Sequence, residues 1–413
     1  MATLAVRQAE APRTTPRLAA GALALLLLVG LYSPTSIAEQ FSPLLYAIGY
    51  VACFALLLVL AVSARRRPGA VASMVAGSIV PLLLFFTSIS GLATYTYGAL
   101  PGYVVLSLLL LLRLPDIALP GWLSGLYVLL NVLNLAACSA ILAGSEWMQA
   151  VLVTHYSVFY PDLVANMLLL RMPVLTFGTH SLAGFFLYLF FYAAFQTYRL
   201  KQRRLFLVFA VCYVVLTLAL LSVTGVVLAS LAMVQMAHHF WSSSRHRWLW
   251  AAGVMAVACI VAIVVPVGPL FQSGRDLVLS AQDIVADPGA GFLGRLMPSG
   301  TLHYDLQYLQ EHPLQPVGVS YREGLMLGDS GVLEYLLRGS VILVLLVYGG
   351  FFLFLRRNLV AKTDLYLLFL VTLAFETGFT VLTYSRTLCL LPFLVVYLNG
   401  LRRPSAAGVA PIP

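Results

Sequence analysis

The sequence predicts an all-α fold: a polytopic transmembrane bundle of about twelve helices, with a large periplasmic loop before the tenth. The composition is one reason, because 61% of the residues are hydrophobic, only 9% are charged and the mean hydropathy is +0.95. The other reason is that apolar runs such as VILVLLVYGGFFLFL, at 341–355, are long and do not alternate with polar residues. Backbone in lipid must satisfy its own hydrogen bonds, so these runs indicate helices rather than barrel strands.

Each predicted helix is an apolar stretch of about 15 to 25 residues, the length that crosses a bilayer core at about 1.5 Å per residue. In the first half of the chain the stretches lie at 17–37, 43–63, 70–88, 94–112, 119–143 and 176–198. In the second half they lie at 205–222, 225–242, 248–270, 333–355, 365–382 and 387–400. The last two are short, so the count stays open between about eleven and thirteen.

The basic residues predict the orientation of the helices. Lys and Arg prefer cytoplasmic loops, and most of the 24 in this chain precede the first helix or follow an even-numbered one. This sorting predicts a multi-pass protein with both termini in the cytoplasm. It also accounts for most of the net charge of +9, so we expect no nucleic-acid partner.

We expect one integral membrane domain, 1–413, with two elaborated extracytoplasmic loops, 144–175 and 271–332. The longer loop contains Leu302, Leu306 and Leu309 at helical spacing, which predicts a short amphipathic helix over 301–311. The basic residues left outside the cytoplasmic loops are all arginines: Arg171, Arg275, Arg295, Arg322, Arg338 and Arg386.

The cysteines and histidines predict neither a disulfide framework nor a metal site. All 5 cysteines fall inside apolar stretches without paired spacing, and no His, Asp and Cys spacing is typical of metal ligands. We therefore expect no metal and no cofactor.

Three segments resemble the O-antigen polymerase and ligase superfamily. They are HPLQPVG at 312–318, LGDSGVLEYLLRGSVI at 327–342 and RMPVLTFGTHSLAGFF at 171–186. Ligases of this superfamily usually carry a His where this chain has Asp329-Ser330-Gly331, so the sequence resembles the Wzy-type polymerases more closely. It departs from the family at 222–230, SVTGVVLAS, which lacks an expected arginine; Arg171 or Arg386 would substitute for it.

The resemblance implies a glycosyl transfer at the periplasmic face of the bacterial inner membrane. An undecaprenyl-diphosphate-linked glycan would move onto the terminal sugar of a lipid-linked repeat unit. The implied partners are these lipid-linked oligosaccharides, the lipid bilayer and a chain-length regulator, which is usual for such polymerases. An O-antigen ligase of the same superfamily, and a polytopic transporter or flippase for lipid-linked glycans, remain alternatives.

The departing diphosphate would need cationic groups, and the planar guanidinium of arginine binds phosphate oxygens bidentately. The acceptor hydroxyl would need a base, for which Asp329 is the first choice, with Glu323, Glu334, His303 and His312 behind it. The predicted catalytic residues are Asp329, Arg295 and Glu323. The predicted substrate-binding residues are Arg171, Arg322, Arg338, Arg386, His303 and His312.

Several of these residues also have a structural interpretation. Asp329 could cap the tenth helix, Arg338 could pair with Glu334 at i, i+4, and Arg386 could pair with Glu376 across a helical hairpin. Arg171 could reach from the membrane interface to water. Arg295 could pair with Asp287 or Asp305.

Overall fold

The computed structural model describes residues 14–64, 71–78, 94–157, 161–220, 222–243, 301–311 and 330–403. These parts of the chain are mostly helical, which confirms the predicted all-α class.

The first half of the chain forms long helices and a pair of shorter ones. The elements are α1 (Thr14–Tyr32), an antiparallel hairpin of β1 (Ser36–Ile37) and β2 (Gln40–Phe41), α2 (Pro43–Ser63), α3 (71–78), α4 (Thr94–Leu111), α5 (Gly121–Leu142), α6 (Glu146–Tyr156), α7 (Pro161–Leu169) and a single 3-10 turn (Leu175–Phe177). The predicted loop 144–175 is thus largely helical, since it contains α6 and α7.

The remaining elements are α8 (His180–Lys201), α9 (Arg204–Leu218), α10 (Val223–Ser243), α11 (Thr301–Glu311), α12 (Gly331–Asn358), α13 (Lys362–Glu376) and α14 (Ser385–Arg402). The predicted amphipathic helix over 301–311 is confirmed as α11. The predicted helix 248–270 lies outside the described residues. The predicted stretch 365–382 is too long, because α13 ends at Glu376 and its side chain binds the chain that turns back after it.

Local sequence explains where several helices begin. The hydroxyls of Ser42, Thr179 and Ser330 accept hydrogen bonds from backbone amides three residues further on, which satisfies one free N–H at the start of α2, α8 and α12. Gln202 adopts φ 54° directly after α8 and lets the chain reverse into α9.

Among the described residues, three helices are long and apolar enough to cross a membrane: Pro43–Ser63, Gly121–Leu142 and Ser340–Asn358. Their outward faces carry exposed aliphatic side chains, including Val51, Leu129 and Leu345. Shorter apolar helices lie at Arg17–Tyr32, Leu100–Leu111 and Arg204–Leu218.

Two helices, α8 and α14, form the centre of the bundle. Every residue of α8 from Leu182 to Thr197 is buried, and α14 is buried from Ser385 to Leu398. α8 packs on α9, α10 and α14, whereas α14 also packs on α1 and α2. The two central helices therefore connect the elements on either side of the bundle.

The bundle has two chemically different ends. At the end where α8, α12 and α14 finish, exposed cations such as Arg199, Lys201 and Arg356 are concentrated; we call this the basic end. Here Arg402 binds the fully buried carboxylate of Asp364 through Nε at 3.0 Å and Nη2 at 2.7 Å. The opposite end, where these helices begin, is rich in tyrosines, and we call it the tyrosine end: Tyr46, Tyr50, Tyr103, Tyr335 and Tyr384.

Candidate functional site at the tyrosine end

Arg386, in the first turn of α14, is 2% exposed and binds the end of α1. Its Nη1 donates to the carbonyls of Gly30 at 3.1 Å and Leu31 at 2.8 Å, and its Nη2 donates to the carbonyl of Ser33 at 2.9 Å. Carbonyls at a helix C-terminus lack intrahelical partners and carry the negative end of the helix dipole, so they stabilise a cation. Arg386 therefore joins the start of α14 to the end of α1.

Aromatic rings and hydroxyls surround the rest of the Arg386 guanidinium. The ring centroids of Tyr156 and Phe177 lie 5.6 and 5.8 Å from its Cζ, within cation–π range. Its Nε donates to the Tyr384 hydroxyl at 3.2 Å, and its Nη1 lies 3.4 Å from the Thr176 hydroxyl. Burial raises the pKa of Tyr156, which lies on α6, and the nearby Arg386 charge opposes that rise. These contacts bring Tyr156, Thr176 and Phe177 to the same place as α1 and α14.

No carboxylate among the described residues bonds to Arg386, so the expected pair with Glu376 is not formed. Glu376 is instead fully buried, and its Oε1 accepts the backbone amides of Val381 at 2.7 Å and Leu382 at 2.6 Å. Its Oε2 accepts the Tyr348 hydroxyl at 3.3 Å. The carboxylate is thus stabilised by neutral donors, as the guanidinium is by neutral acceptors.

Glu334 and Arg338 form a second polar centre on α12. Arg338 Nε lies 2.9 Å from Glu334 Oε1, and the two residues are 8% and 5% exposed, so the expected i, i+4 pair is confirmed and is buried. Tyr103 donates to Glu334 Oε1 at 3.1 Å, and its ring lies 5.8 Å from the Arg338 Cζ. Thr380 donates to Glu334 Oε2 at 2.8 Å. Glu334 therefore serves three donors at once, which limits its capacity to accept a substrate proton.

The connecting loop 377–384, between α13 and α14, is held from several helices. Glu376 binds its amides, Glu334 binds Thr380, and Tyr50 donates to the carbonyl of Thr383 at 2.9 Å. On the side of α12, Gly331 faces the Glu376 carboxylate so closely that a Cβ there would overlap Oε2. The loop is therefore fixed between the buried carboxyl group of Glu376 and the buried guanidinium of Arg386.

Arg171 is exposed and has an unusual backbone conformation, with φ 57°. Its guanidinium lies against Gly144, after the end of α5, where a Cβ would come within 3.3 Å of Nε. His303 is half-buried on α11. Of the predicted substrate-binding arginines, the structure places Arg338 and Arg386 at the tyrosine end. Arg171 precedes Thr176 by five residues, and the Thr176 hydroxyl contacts Arg386.

The other predicted site residues lie outside the described residues: Asp329, Arg295, Glu323, Arg322 and His312. One alternative for Asp329 is resolved nonetheless, because the N-cap of α12 is Ser330, whose hydroxyl accepts from the amide of Leu333 at 3.5 Å. The capping interpretation of Asp329 was wrong by one residue.

Sequence reasoning missed the parts of the site that depend on distant segments. Tyr50, Tyr103 and Thr380 carry no motif, and each contributes through a partner far away in the chain. Gly331 could have been noticed, since a glycine just inside a helix indicates close approach of another group. Within the described ranges, no three His, Cys, Asp or Glu side chains are grouped so that they could hold a metal ion.

Comparison with known proteins gives no match: no family model fits this chain, and no curated protein or solved structure is similar to it.

Proposed function

We propose that this protein is a membrane glycosyltransferase that polymerises lipid-linked glycans at the periplasmic face of the bacterial inner membrane. The observation that carries the proposal is the separation of two buried ionisable groups, Glu376 and Arg386, across the connecting loop 377–384. Ionisable groups buried in an apolar bundle are costly and mark functional sites by default. Asp364 and Arg402, at the basic end, neutralise each other; Glu376 and Arg386 do not.

A separated pair suits the charge movement of this reaction. The acceptor hydroxyl attacks the anomeric carbon of the donor glycan, the bond from that carbon to the diphosphate oxygen breaks, and the hydroxyl proton passes to a base. Negative charge grows on the diphosphate while positive charge leaves the acceptor. A fixed cation on one side of the loop and a fixed anion on the other stabilise both changes, and a low dielectric strengthens the effect.

Arg386 and Glu376 are too buried to touch a substrate, so we assign them a positioning and electrostatic role. Direct contact with the diphosphate falls to Arg322 and Arg295, with Asp329 as the base, as the family resemblance implies. A well-aimed donor to the developing charge contributes about 3 kcal/mol.

The proposed topology is a bundle of about twelve spans with both termini cytoplasmic. The basic end supports this orientation, because the turn between α8 and α9 and the turn between α12 and α13 both present exposed Lys and Arg there. The tyrosine end would then face the periplasm, together with the loops 144–175 and 271–332. The proposed partners are undecaprenyl-diphosphate-linked oligosaccharides, the bilayer and a chain-length regulator.

Gene deletion, followed by size analysis of lipid-linked and surface glycans, tests the proposal. A polymerase predicts single repeat units without long chains. Long undecaprenyl-linked chains that never reach their final carrier would indicate a ligase, and unchanged glycans would contradict glycosyl transfer altogether. Complementation with Arg295→Ala or Asp329→Ala should fail although the protein is inserted and abundant, whereas Arg275→Ala, in the same loop, should restore long chains.

A further inference from the structure

An exposed apolar patch with one cation lies where α5 and α7 end. Trp147, Leu169 and Leu170 are 70%, 71% and 63% exposed. Two contacts place the segments that carry them next to each other, since Gln149 Nε2 donates to the carbonyl of Leu168 at 3.1 Å and the Arg171 guanidinium lies against Gly144, three residues before Trp147. We call Trp147, Leu169, Leu170 and Arg171 the interfacial patch.

The backbone around the patch is built from two matching helix ends. At the end of α5, the amide of Gly144 bonds the carbonyl of Ile141 and the amide of Ser145 bonds that of Ala140. At the end of α7, the amide of Arg171 bonds Leu168 and that of Met172 bonds Met167. Both are Schellman motifs, in which a residue with positive φ terminates the helix.

Arginine is an unfavourable choice at such a position. Gly144 has φ 77°, as the motif prefers, but Arg171 has φ 57° and a side chain with a Cβ. A residue other than glycine in this conformation costs about 1–2 kcal/mol. Such strain, kept at a site with an exposed cation, indicates that the side chain is needed there.

Within the part of the chain that the structure describes, the donors of the Arg171 guanidinium are available. Among the described residues, none accepts a hydrogen bond from it and none forms an ion pair with it. Arginine offers five N–H donors in a planar fork that matches phosphate oxygens. An arginine with no partner among the described residues, near an exposed Trp and two Leu in the fold, is the combination found where a protein meets lipid headgroups above acyl chains.

The position of the patch along the bundle fits this partner. α5 is one of the helices long enough to cross a membrane, and Trp147 follows its last residue, Leu142, by five positions. The patch therefore lies at the level where a spanning α5 leaves the hydrocarbon. On α7, Asp162 and Asn166 are exposed further from that end.

We infer that the interfacial patch docks the α6–α7 hairpin onto the phospholipid interface, with Trp147, Leu169 and Leu170 among the upper acyl chains and Arg171 on a headgroup phosphate. This inference does not depend on the proposed glycosyl transfer.

Site-directed spin labelling of the full chain tests the inference. A cysteine is introduced at Leu169 or, as a matched control, at Asn166, and the protein is reconstituted in vesicles of phosphatidylethanolamine and phosphatidylglycerol without lipid-linked glycan. The wild-type protein, labelled in the same way, gives the background from its native cysteines. Collisions with oxygen, which enters lipid, are compared with collisions with a water-soluble nickel chelate.

We expect the label at 169 to collide several-fold less with the nickel chelate than the label at 166, and more with oxygen. The change Arg171→Gln should move the label at 169 towards water while the label at 166 stays unchanged. Equal nickel accessibility at 169 and 166 would overturn the inference. So would protection at 169 that occurs only after a lipid-linked glycan is added, because the phosphate would then belong to a substrate and not to the bilayer.

Discussion

Glu376 and Arg386 are ten positions apart and both buried, yet each binds neutral groups instead of the other. The Glu376 carboxylate accepts the amides of Val381 and Leu382, and the Arg386 guanidinium donates to carbonyls at the end of α1. Two ionisable groups buried in an apolar bundle usually gain most by pairing. Keeping them apart fixes the connecting loop 377–384, and in the proposed function it places an electric field across that loop.

The charge of Glu376 can be removed without removing its shape. In Glu376→Gln the amide oxygen can still accept the two backbone amides, so we expect the free energy of unfolding to change by no more than about 1 kcal/mol. If the field matters, glycan polymerisation slows about tenfold or more, which corresponds to about 1.4 kcal/mol. Polymerisation in membranes and thermal unfolding in detergent are measured together. Glu146→Gln, at an exposed carboxylate, is the control. Full activity of Glu376→Gln would refute the electrostatic role proposed for Glu376.

Gly331 provides a steric test of the same region. A Cβ at this position would overlap the Glu376 carboxylate, whereas a Cβ at Gly349, on the same helix, meets nothing within 4 Å. We expect Gly331→Ala to cost about 1–3 kcal/mol of stability, as overpacking does. Gly349→Ala should stabilise α12 by up to about 1 kcal/mol. Denaturant unfolding in micelles measures both, and equal effects would show that Glu376 does not approach Gly331.

The buried pair Glu334–Arg338 predicts strong coupling between its members. Arg338→Met leaves Glu334 buried without its cation, and we expect a loss of about 3–5 kcal/mol. Adding Glu334→Gln should recover part of that loss, because the remaining uncharged groups can still hydrogen-bond to Tyr103 and Thr380. A double-mutant cycle on unfolding free energies measures the coupling. Strictly additive losses would mean that the two side chains act independently.

The positive φ of Arg171 predicts a gain in stability when this residue is replaced by glycine. Arg171→Gly relieves the positive φ, and we expect the free energy of unfolding to rise by about 0.5–1 kcal/mol, less than the full strain because glycine gains freedom in the unfolded chain. Gln202→Gly, at the other described helix end with φ 54°, should give a similar gain. Thermal unfolding in micelles compares the two. A loss at 171 beside a gain at 202 would show that the contact of the guanidinium with the end of α5 outweighs the strain.

The sequence predicted the elements that depend on local composition. The stretches 43–63 and 94–112 match α2 and α4 to within one residue, and 301–311 matches α11. Apolar runs of this length must close their own hydrogen bonds in lipid, because no water is present there to satisfy the backbone. The pair Glu334–Arg338 was also predictable from local sequence, because i, i+4 spacing on a helix places two side chains side by side.

Composition and local spacing were thus enough to determine that the described part of the chain is mostly helical, where most of its helices begin and end, and that Glu334 meets Arg338. Only the tertiary structure decided the partners of Glu376 and Arg386. Their spacing along the chain suggested that they pair, but each binds other partners. Glu376 binds amides in the loop that follows α13. Arg386 binds carbonyls at the end of α1, about 350 residues away in the chain. Helix ends leave backbone groups without intrahelical partners. The packing of distant helices decides which buried side chain reaches these groups, and no local sequence pattern contains that information.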